Sequence, residues 1–479
     1  MRIKIGLVGT SQLSFPGPKE AEFARAVQEM QQHSVSMGFD FVHYPEQVIT
    51  ESDAIQALNM LEKEQIDFLM ILNISYSAGF LVPILYRIQG AAVGVWSIPE
   101  TPDGPVLFNS FCSNNMYQAI NRNYLRDDHI QSKWFFGHAT DPRFIERLKV
   151  TIKALQAIKK LKHSRIALIG GIAPGFYDLY FDERSVFSKL DGIYFNRNHE
   201  YQEIIDLANK FSDQDIDPFM KSFNQAKISA TNRARKLLGF SYKIYLAYKK
   251  LIAENRYDAI AVSCWPKFQD DYEYSVCSVM GMLNDDKIVA ACEGDVLSAI
   301  SMLALQEISQ DSTSLMDFTA IDETDETIML WHCGPGSQRF CQQNGYTLGE
   351  NYSGMAHKDG EICGTGVVRD MEFDPLPITS FRFSGDMERY LNLTGQFIGN
   401  KKKSNKGSRG WLGNVKLNNQ KISVLDFANT ILSSGFEHHY PIAIGDYAKE
   451  IKEMNKWLGI KPVTRISYDD CLQDEEDQE

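Results

Sequence analysis

The stretch that decides the fold is residues 286–306, DKIVAACEGDVLSAISMLALQ, where a short apolar strand leads through Glu293, Gly294 and Asp295 into an apolar helix. Other segments begin the same sequence of buried strand, turn and helix: KIGLVG at 4–9, FDFVHYP at 39–45, DFLMILNI at 67–74, AAVGVWSIP at 91–99 and RIALIGGIAPGFYD at 165–178. Uninterrupted apolar strands that alternate with amphipathic helices are typical of parallel sheets covered on both faces. The pattern therefore predicts an α/β protein.

The chain is too long for one hydrophobic core, because 479 residues exceed the usual size of a single domain. A long helical span, 144–162, ends just before the strand pattern restarts at residue 165. After about residue 310 the sequence changes to short alternating segments separated by Gly, Asn, Asp and Pro, which is typical of antiparallel β-structure. We therefore expect two Rossmann-like parallel-sheet domains, 1–162 and 163–308, followed by a β-rich domain, 309–479.

Composition points to a small-molecule partner. The chain has 49 Lys and Arg against 62 Asp and Glu, a net charge of -13, which argues against broad binding to nucleic acid or to an anionic membrane. The N-terminus lacks the parts of a signal peptide, and the longest apolar region, 68–85, is interrupted by polar residues, Gly and Pro. Eight cysteines without a CxxC pair favour reduced thiols over structural zinc. We expect a cytoplasmic protein.

Several chemically useful residues follow strands of the second predicted domain. Glu293 follows one strand, and Trp265 and Gln269 follow another, in YDAIAVSCWPKFQDDY at 257–272. Ligands of open α/β sheets bind beyond the carboxyl ends of the strands, so these side chains lie where a site is expected. Asp295 is the better candidate for the helix cap, which leaves Glu293 free for another role.

The third predicted domain adds one carboxylate and three histidines. Asp317 lies among apolar residues in SLMDFTAID, where it either faces a site or caps a turn. His332 ends a strand in LWHCGPG, and His438 and His439 precede the last strand. Adjacent residues of an extended segment point in opposite directions, so we expect at most one of this pair to reach any given site.

Two carboxylates and one imidazole suit an octahedral ion that prefers oxygen, such as Mn²⁺ or Mg²⁺. Such an ion can bind the carbonyl and the neighbouring hydroxyl of an open-chain sugar and acidify the C–H bond between them. The same carboxylates can then carry a proton between C1 and C2. This chemistry predicts interconversion of an aldose and a ketose.

Four segments taken together, ACEGDVLSAISMLALQ, MDFT, WHCG and GFEHHYPIAIGDYAKEIKEMNKWLGI, resemble the signature segments of the L-fucose and L-arabinose isomerase superfamily in order and spacing. The resemblance covers the last two-thirds of the chain well and the first third mainly in architecture. It implies two α/β domains followed by a β-barrel-like domain. It also implies a homo-oligomer, a trimer or hexamer, whose sites lie at subunit interfaces.

The resemblance also assigns roles to residues. Glu293 and Asp317 would be metal ligands and the acid/base pair, and the third ligand position matches His439. His438 would be a neighbour in the site. His332 stands where the arabinose isomerase branch has a further metal-binding histidine and the fucose branch has none, so it is either a ligand or a substrate contact. Trp265 and Gln269 fall where the family contacts substrate.

The sugar itself stays open at this level, between an L-fucose- or L-arabinose-like sugar, another hexose or pentose, and an anionic sugar such as sulfoquinovose. For an anionic sugar, Lys406 and Arg409 of the loop KKKSNKGSRG at 401–410 offer contacts to the charged end, and Trp411 beside them is a candidate substrate contact. The alternative is that this loop is simply solvated. Two other classes compete: a sugar-binding protein without catalysis, and a metal-dependent aldolase or hydrolase. A binding protein needs no pair of carboxylates at a metal, which makes Glu293 and Asp317 the discriminating residues.

Overall fold

A computed structural model describes residues 1–125, 130–226, 228–272, 274–358, 361–399 and 402–469, with the backbone alone at 352–358 and 361–364. The chain divides into two compact units, Met1–Lys159 and Lys160–Glu479. The acidic stretch DDCLQDEEDQE at 469–479, which its charge predicts to be disordered, lies outside the described residues from position 470 onward. In the described ranges, no helix combines the length and the apolar character needed to cross a membrane.

The first unit is built on a parallel sheet in the order β2-β1-β3-β4-β5. Its strands are β1 (Lys4–Thr10), β2 (Asp40–Val48), β3 (Phe68–Asn73), β4 (Ala92–Ser97) and β5 (Ser132–Phe136). Its helices are α1 (Lys19–Met37), α2 (Glu51–Lys63), α3 (Val82–Leu85) and α4 (Ser110–Ala119), and α5 (Pro142–Lys162) leads into the second unit. Every residue of β3 is buried, as expected for a strand covered on both faces.

The second unit begins with another parallel sheet, in the order β7-β6-β9-β10. Its strands are β6 (Arg165–Ile169), β7 (Tyr194–His199), β9 (Ala259–Val262) and β10 (Val289–Cys292); the short strand β8 (Ser229–Ala230) joins a later sheet. The helices of this region are α6 (Glu183–Lys189), α7 (Tyr201–Ala208), α8 (Asp213–Gln225), α9 (Asn232–Asn255), α10 (Lys267–Tyr272), α11 (Cys277–Asp285) and α12 (Val296–Ser309). Both parallel sheets place their first strand between the second and the third, so each has a crevice at that reversal of strand order.

The rest of the second unit is a closed antiparallel barrel. Six strands run in the order β16-β15-β19-β11-β12-β17, and the pairing of β16 with β17 closes the ring. These strands are β11 (Thr313–Asp322), β12 (Thr327–His332), β15 (Pro377–Phe383), β16 (Arg389–Phe397), β17 (Ser408–Leu417) and β19 (His439–Ile444). Around them lie β13 (Tyr346–Lys358), β14 (Glu361–Glu372), β18 (Gln420–Lys421), β20 (Lys461–Pro462), α13 (Val424–Ser433) and α14 (Ala448–Leu458).

Closure of the barrel gives it a sealed apolar interior, because a ring of strands has no free edge and alternate side chains point inward. Buried residues from all six strands form one cluster, which includes Met316, Leu330, Leu393, Leu412 and Ile442. The predicted fold class, two parallel-sheet layers followed by a β-barrel-like region, is confirmed. The division into three domains at 162 and 308 stays a prediction.

One predicted strand is wrong. KISVLDFAN at 421–429 reads as β-structure in the sequence, but only Lys421 is in a strand and α13 begins at Val424. The Ser423 side chain accepts a hydrogen bond from the backbone of Asp426 and so caps the helix. Val424, Phe427 and Ile431 then share one buried helix face, which the short apolar run did not distinguish from a strand.

Candidate metal centre

Glu293 is held at the end of β10 by its own backbone. Its φ is +61°, a left-handed conformation that turns the chain away from the strand. Its carbonyl accepts a hydrogen bond from the backbone of Ala173, and the Gly294 N–H donates to the carbonyl of Val262 on the neighbouring strand. Ala173 lies in the loop that follows β6, and Val262 is the last residue of β9, so the Glu293 carboxylate is presented at the carboxyl edge of this parallel sheet.

Asp317 and His439 are direct neighbours across two barrel strands. Asp317 on β11 pairs with His439 on β19. Cross-strand partners project to the same face of a sheet, so the two side chains converge. The His439 Nε2 atom lies 3.7 Å from the Asp317 Oδ1 atom and 3.0 Å from the Glu293 Oε2 atom. The barrel thus brings two of the predicted ligands to the third, which the parallel sheet supplies.

Asp295 orients His439 from behind. Its side chain caps α12 by accepting from the Ser298 N–H, and its Oδ2 atom lies 2.9 Å from the Nδ1 atom of His439. The Arg382 guanidinium donates to the same carboxylate at 2.6 Å and is itself completely buried. An ionised carboxylate only accepts, so the singly protonated form of His439 carries its hydrogen on Nδ1 and turns the lone pair of Nε2 toward Glu293 and Asp317.

Four buried polar atoms converge here without a hydrogen-bond partner among the described residues: Glu293 Oε2, Asp317 Oδ1, His332 Nε2 and His439 Nε2. Buried polar atoms are nearly always bonded, so a group of them marks a position for a ligand. Glu293, His438 and His439 place ligand atoms within 4.8 Å of one another, and so do Asp317, His332 and His439. This donor set of carboxylates and imidazoles is compatible with a divalent ion.

The charges of the cluster are strongly coupled. Burial raises the pKa of Glu293, but the adjacent imidazoles of His438 and His439 outweigh burial and hold that pKa well below its usual range. Burial lowers the pKa of His439, but Asp295 and Glu293 outweigh it and raise the pKa to about 10. The carboxylates of the cluster therefore favour a positive charge between them. Either a metal ion or a second proton on His439, on Nε2, supplies this charge.

His438 also reaches the site, and the expectation from strand alternation is wrong here. Its Nε2 atom lies 3.6 Å from Glu293 Oε2, and its Nδ1 atom lies 2.5 Å from the Asp178 Oδ2 atom. The alternation fails because β19 begins only at His439, so His438 lies in a bend where neighbouring side chains need not oppose each other. The ring of His438 packs at 5.5 Å from that of Phe176.

A cavity of about 340 Å³ opens beside these residues. Its wall includes Glu293, Asp317, His332 and His438 of the cluster, together with Trp265 and Gln269. The remaining lining residues are Phe176, Cys264, Cys277, Trp331, Cys333 and Asn351. A volume of this size accommodates a small molecule such as a monosaccharide.

Trp411 lies away from this wall. Its indole N–H donates to the carbonyl of Lys403, and the Lys402 ammonium lies 3.9 Å from its ring. Arg409 is likewise engaged, since its guanidinium bonds Asp370 at 2.5 Å and the carbonyl of Gly407 at 2.8 Å. The expected contacts of Trp411 and Arg409 with a sugar are therefore not supported, because both side chains already hold the loop in place.

Lys406 differs from Lys402 and Arg409 of this loop, which both form ion pairs with carboxylates. Its carbonyl accepts the indole N–H of Trp331, and it lines a second cavity of about 290 Å³. Trp331, Cys333 and Asn351 line both cavities, so the second one adjoins the metal centre. Among the described residues, no carboxylate forms an ion pair with Lys406.

Sequence reasoning missed Asp178, Phe176 and Asn351. Asp178 and Phe176 lie in the loop after β6, and parallel topology brings that loop to the same sheet edge as Glu293. The carboxyl-end rule applied to Trp265 would have found them. Asn351 belongs to β13, beside the barrel, and reaches the cavity only through tertiary packing. No local sequence pattern indicates this packing.

No family model matches the chain. The curated relatives found are named sulfoquinovose isomerase. The protein of that name from Priestia megaterium is 25% identical over 423 residues, 87% of this chain and 90% of that protein. The one from Alkalicoccus urumqiensis is 23% identical over 429 residues, 88% and 91% of the two chains, and the one from a Clostridium species is 26% identical over 408 residues, 82% and 85%. Similarity to isomerases over most of its length confirms the predicted enzyme class, an aldose–ketose isomerase.

Proposed function

We propose that this protein isomerises a sulfonated hexose of the sulfoquinovose type, an aldose, to the corresponding 2-ketose. The convergence of four unpartnered buried atoms beside a sugar-sized cavity carries the proposal. The names of the relatives support the sulfonated sugar over the L-fucose- or L-arabinose-like substrate that the superfamily resemblance favoured. The anionic sugar was the alternative at the level of sequence, and it is now the leading candidate.

Glu293, Asp317 and His439 are the proposed ligands of the ion, which we propose to be Mn²⁺. When bound, a divalent ion polarises a carbonyl oxygen and stabilises the negative charge that develops during enolisation. Glu293 and Asp317 face the cavity and are the proposed acid/base pair. One carboxylate removes the proton from C2 of the open-chain aldose, and return of a proton to C1 gives the ketose through an enediol.

The cavity wall supplies the rest of the proposed site. Trp265 offers an aromatic face to the sugar, and its ring lies 5.8 Å from that of Phe176, which narrows the cavity. Gln269 is buried and donates to Ser275, so its amide is fixed in orientation at the wall. His438 is held by Asp178 and can bond a sugar hydroxyl. These groups orient the sugar and exclude water from the reacting carbons.

Lys406 is the proposed contact for the sulfonate. Trp331 lines both cavities. When C1 and C2 of the sugar lie at Glu293 and Asp317, we place the far end of the sugar along Trp331, toward the second cavity. Lys406 lies along the second cavity, and an ammonium that has no carboxylate partner among the described residues is free to pair with an anion.

The assembly as a trimer or hexamer and the cytoplasmic location also remain proposals.

The experiment is a substrate panel. The protein, stripped of metal and reloaded with Mn²⁺, is incubated with sulfoquinovose, glucose, L-fucose and L-arabinose in D₂O, and ketose formation is followed by NMR. We expect a ketose from sulfoquinovose and solvent deuterium in the product, since an enediol exchanges its proton. Turnover of a neutral sugar alone would overturn the sulfonated substrate. Sugar binding without turnover would support a binding protein, and cleavage of the carbon chain would support an aldolase.

A further inference from the structure

Two stacked histidines line the centre. His332 ends β12, His439 begins β19, and both strands flank β11, which carries Asp317. The centroids of the two rings lie 5.7 Å apart with their planes inclined at 29°, and both side chains are almost fully buried. Each ring has one nitrogen without a hydrogen-bond partner, and in each ring that nitrogen is Nε2. The two side chains therefore look like equivalent ligands.

Their other nitrogens face opposite partners. The Nδ1 atom of His439 faces the Asp295 carboxylate, which can only accept a hydrogen bond. The Nδ1 atom of His332 instead accepts the backbone N–H of Cys333 at 2.9 Å, and a backbone N–H can only donate. The Cys333 thiol lies 3.2 Å from the same nitrogen.

These partners fix opposite tautomers. His439 carries its hydrogen on Nδ1 and keeps the Nε2 lone pair. His332 keeps its lone pair on Nδ1, where it is used, and so carries its hydrogen on Nε2. A ring nitrogen that bears a hydrogen donates a hydrogen bond and cannot bind a metal ion. Metal-bound histidines also donate from their other nitrogen, whereas His332 accepts there.

We propose that His332 is not a metal ligand but a catalytic hydrogen-bond donor, whose Nε2–H binds a substrate oxygen. The assignment rests on the proposed isomerase function, and it decides between the two roles that the sequence left open. Enolisation places negative charge on the oxygens of C1 and C2, and a fixed buried donor stabilises such charge without reorganisation. Asp317 and His439 lie next to His332, which places its N–H at the reacting end of the sugar.

The test compares the same substitution at the two histidines. Mn²⁺ binding is measured by calorimetry and by metal analysis after gel filtration for His332→Gln and His439→Gln. We expect His332→Gln to bind Mn²⁺ within about threefold of the parent protein, and His439→Gln to lose about 100-fold or more, since it removes a ligand that Asp295 orients. Equal loss of Mn²⁺ from both variants would overturn the assignment.

The donor role has its own readout. We expect His332→Leu to bind Mn²⁺ normally but to lower kcat by about 100-fold, with KM changed much less, and we expect His332→Gln to recover part of kcat because its amide N–H can donate. An unchanged kcat in His332→Leu would contradict the donor role. If the parent protein isomerises no aldose, the proposed function fails, while the metal-binding comparison still decides the role of His332. Circular dichroism checks that each variant is folded; His332→Asn, His439→Asn and His332→Phe replace His332→Gln, His439→Gln and His332→Leu, respectively, where one is not.

Discussion

The Nδ1 atom of His439 lies 2.9 Å from the Oδ2 atom of Asp295, and both side chains are completely buried. The two residues are 144 positions apart in the chain, one at the start of a barrel strand and the other at the cap of α12. This contact sets the tautomer of the proposed ligand and joins the barrel to the parallel sheet that carries Glu293.

Asp295→Asn is the first prediction. An amide can donate to Nδ1, which reverses the tautomer of His439 and places a hydrogen on the nitrogen that should face the ion. We expect Mn²⁺ affinity to fall by about 10- to 100-fold, measured by calorimetry. Ser298→Ala is the control, because it removes one hydrogen bond to Asp295 and leaves the carboxylate. Unchanged affinity in Asp295→Asn would contradict an orienting role.

The second prediction concerns pH. The pKa of His439 is raised to about 10, so a proton and a metal ion compete for Nε2. Binding of the ion should release about one proton, and affinity should rise by about tenfold per pH unit until pH approaches the pKa. Calorimetry in buffers of different ionisation enthalpy counts the released proton. Between pH 6 and 8 we expect the affinity for Mn²⁺ to rise by about 100-fold. An affinity that does not change over this range would show that His439 is not a ligand.

The same shifts predict the stability of the metal-free protein. The raised pKa of His439 contributes stability that is fully present below the unfolded value of 6.5 and is lost as pH rises toward about 10. The lowered pKa values of Glu293 and Asp295 contribute stability above their unfolded values, and that contribution is lost in acid. Thermal unfolding of metal-free protein should therefore show Tm falling on both sides of a mildly acidic maximum. Saturating Mn²⁺ should raise Tm most on the alkaline side, where His439 gives up its proton.

The sequence alone was sufficient to predict which segments of the chain carry the residues of the candidate site. Glu293 follows β10, Asp317 lies within β11 and His439 begins β19, and the structure brings their side chains together. Local patterns could place Glu293 near a site because parallel strands share one edge for their carboxyl ends. For Asp317 and His439, on antiparallel strands, the assignment depended on the resemblance. The parallel sheets and the bounds of the long helices were predictable because they depend on local periodicity.

What the sequence did not provide depends on long-range contacts. Arg409 forms an ion pair with Asp370 and is therefore no longer a candidate contact for an anion. The two residues lie on different strands, and no local sequence pattern predicts that these strands are neighbours. The orientation of His438 depends on where β19 begins, and strand boundaries are the least certain part of a sequence-based assignment. The tautomers of His332 and His439 depend on partners across the fold.

The turn after Glu293 supports a third prediction. Gly294 has a φ of +76°, and a Cβ atom on it would lie 2.3 Å from the carbonyl oxygen of Gly171. Gly171 has a similar φ of +79° but open space around it. Gly171→Ala should therefore cost only the backbone strain, about 1–2 kcal/mol. Gly294→Ala should lower the free energy of unfolding further and weaken Mn²⁺ binding, and equal effects in denaturant titrations would contradict the steric account.

Lys406→Met tests the proposed sulfonate contact. Removal of one charge-assisted contact should raise KM for sulfoquinovose by about tenfold. KM for any neutral sugar that is turned over should stay within about twofold, because no anion is involved. Lys403→Met is the matched control in the same loop, since only its carbonyl is used, by Trp411. Equal KM values for sulfoquinovose in both variants would remove Lys406 from the site.

The central claim is that Glu293 and Asp317 hold a divalent ion and act on the substrate. The most direct measurement determines bound Mn²⁺ and turnover of sulfoquinovose for Glu293→Gln and Asp317→Asn, beside Glu323→Gln, which changes an exposed carboxylate just beyond β11. We predict that both site variants lose turnover by at least about 1,000-fold and bind Mn²⁺ more weakly, while Glu323→Gln behaves as the parent protein. Site variants that keep both Mn²⁺ content and turnover would contradict the claim.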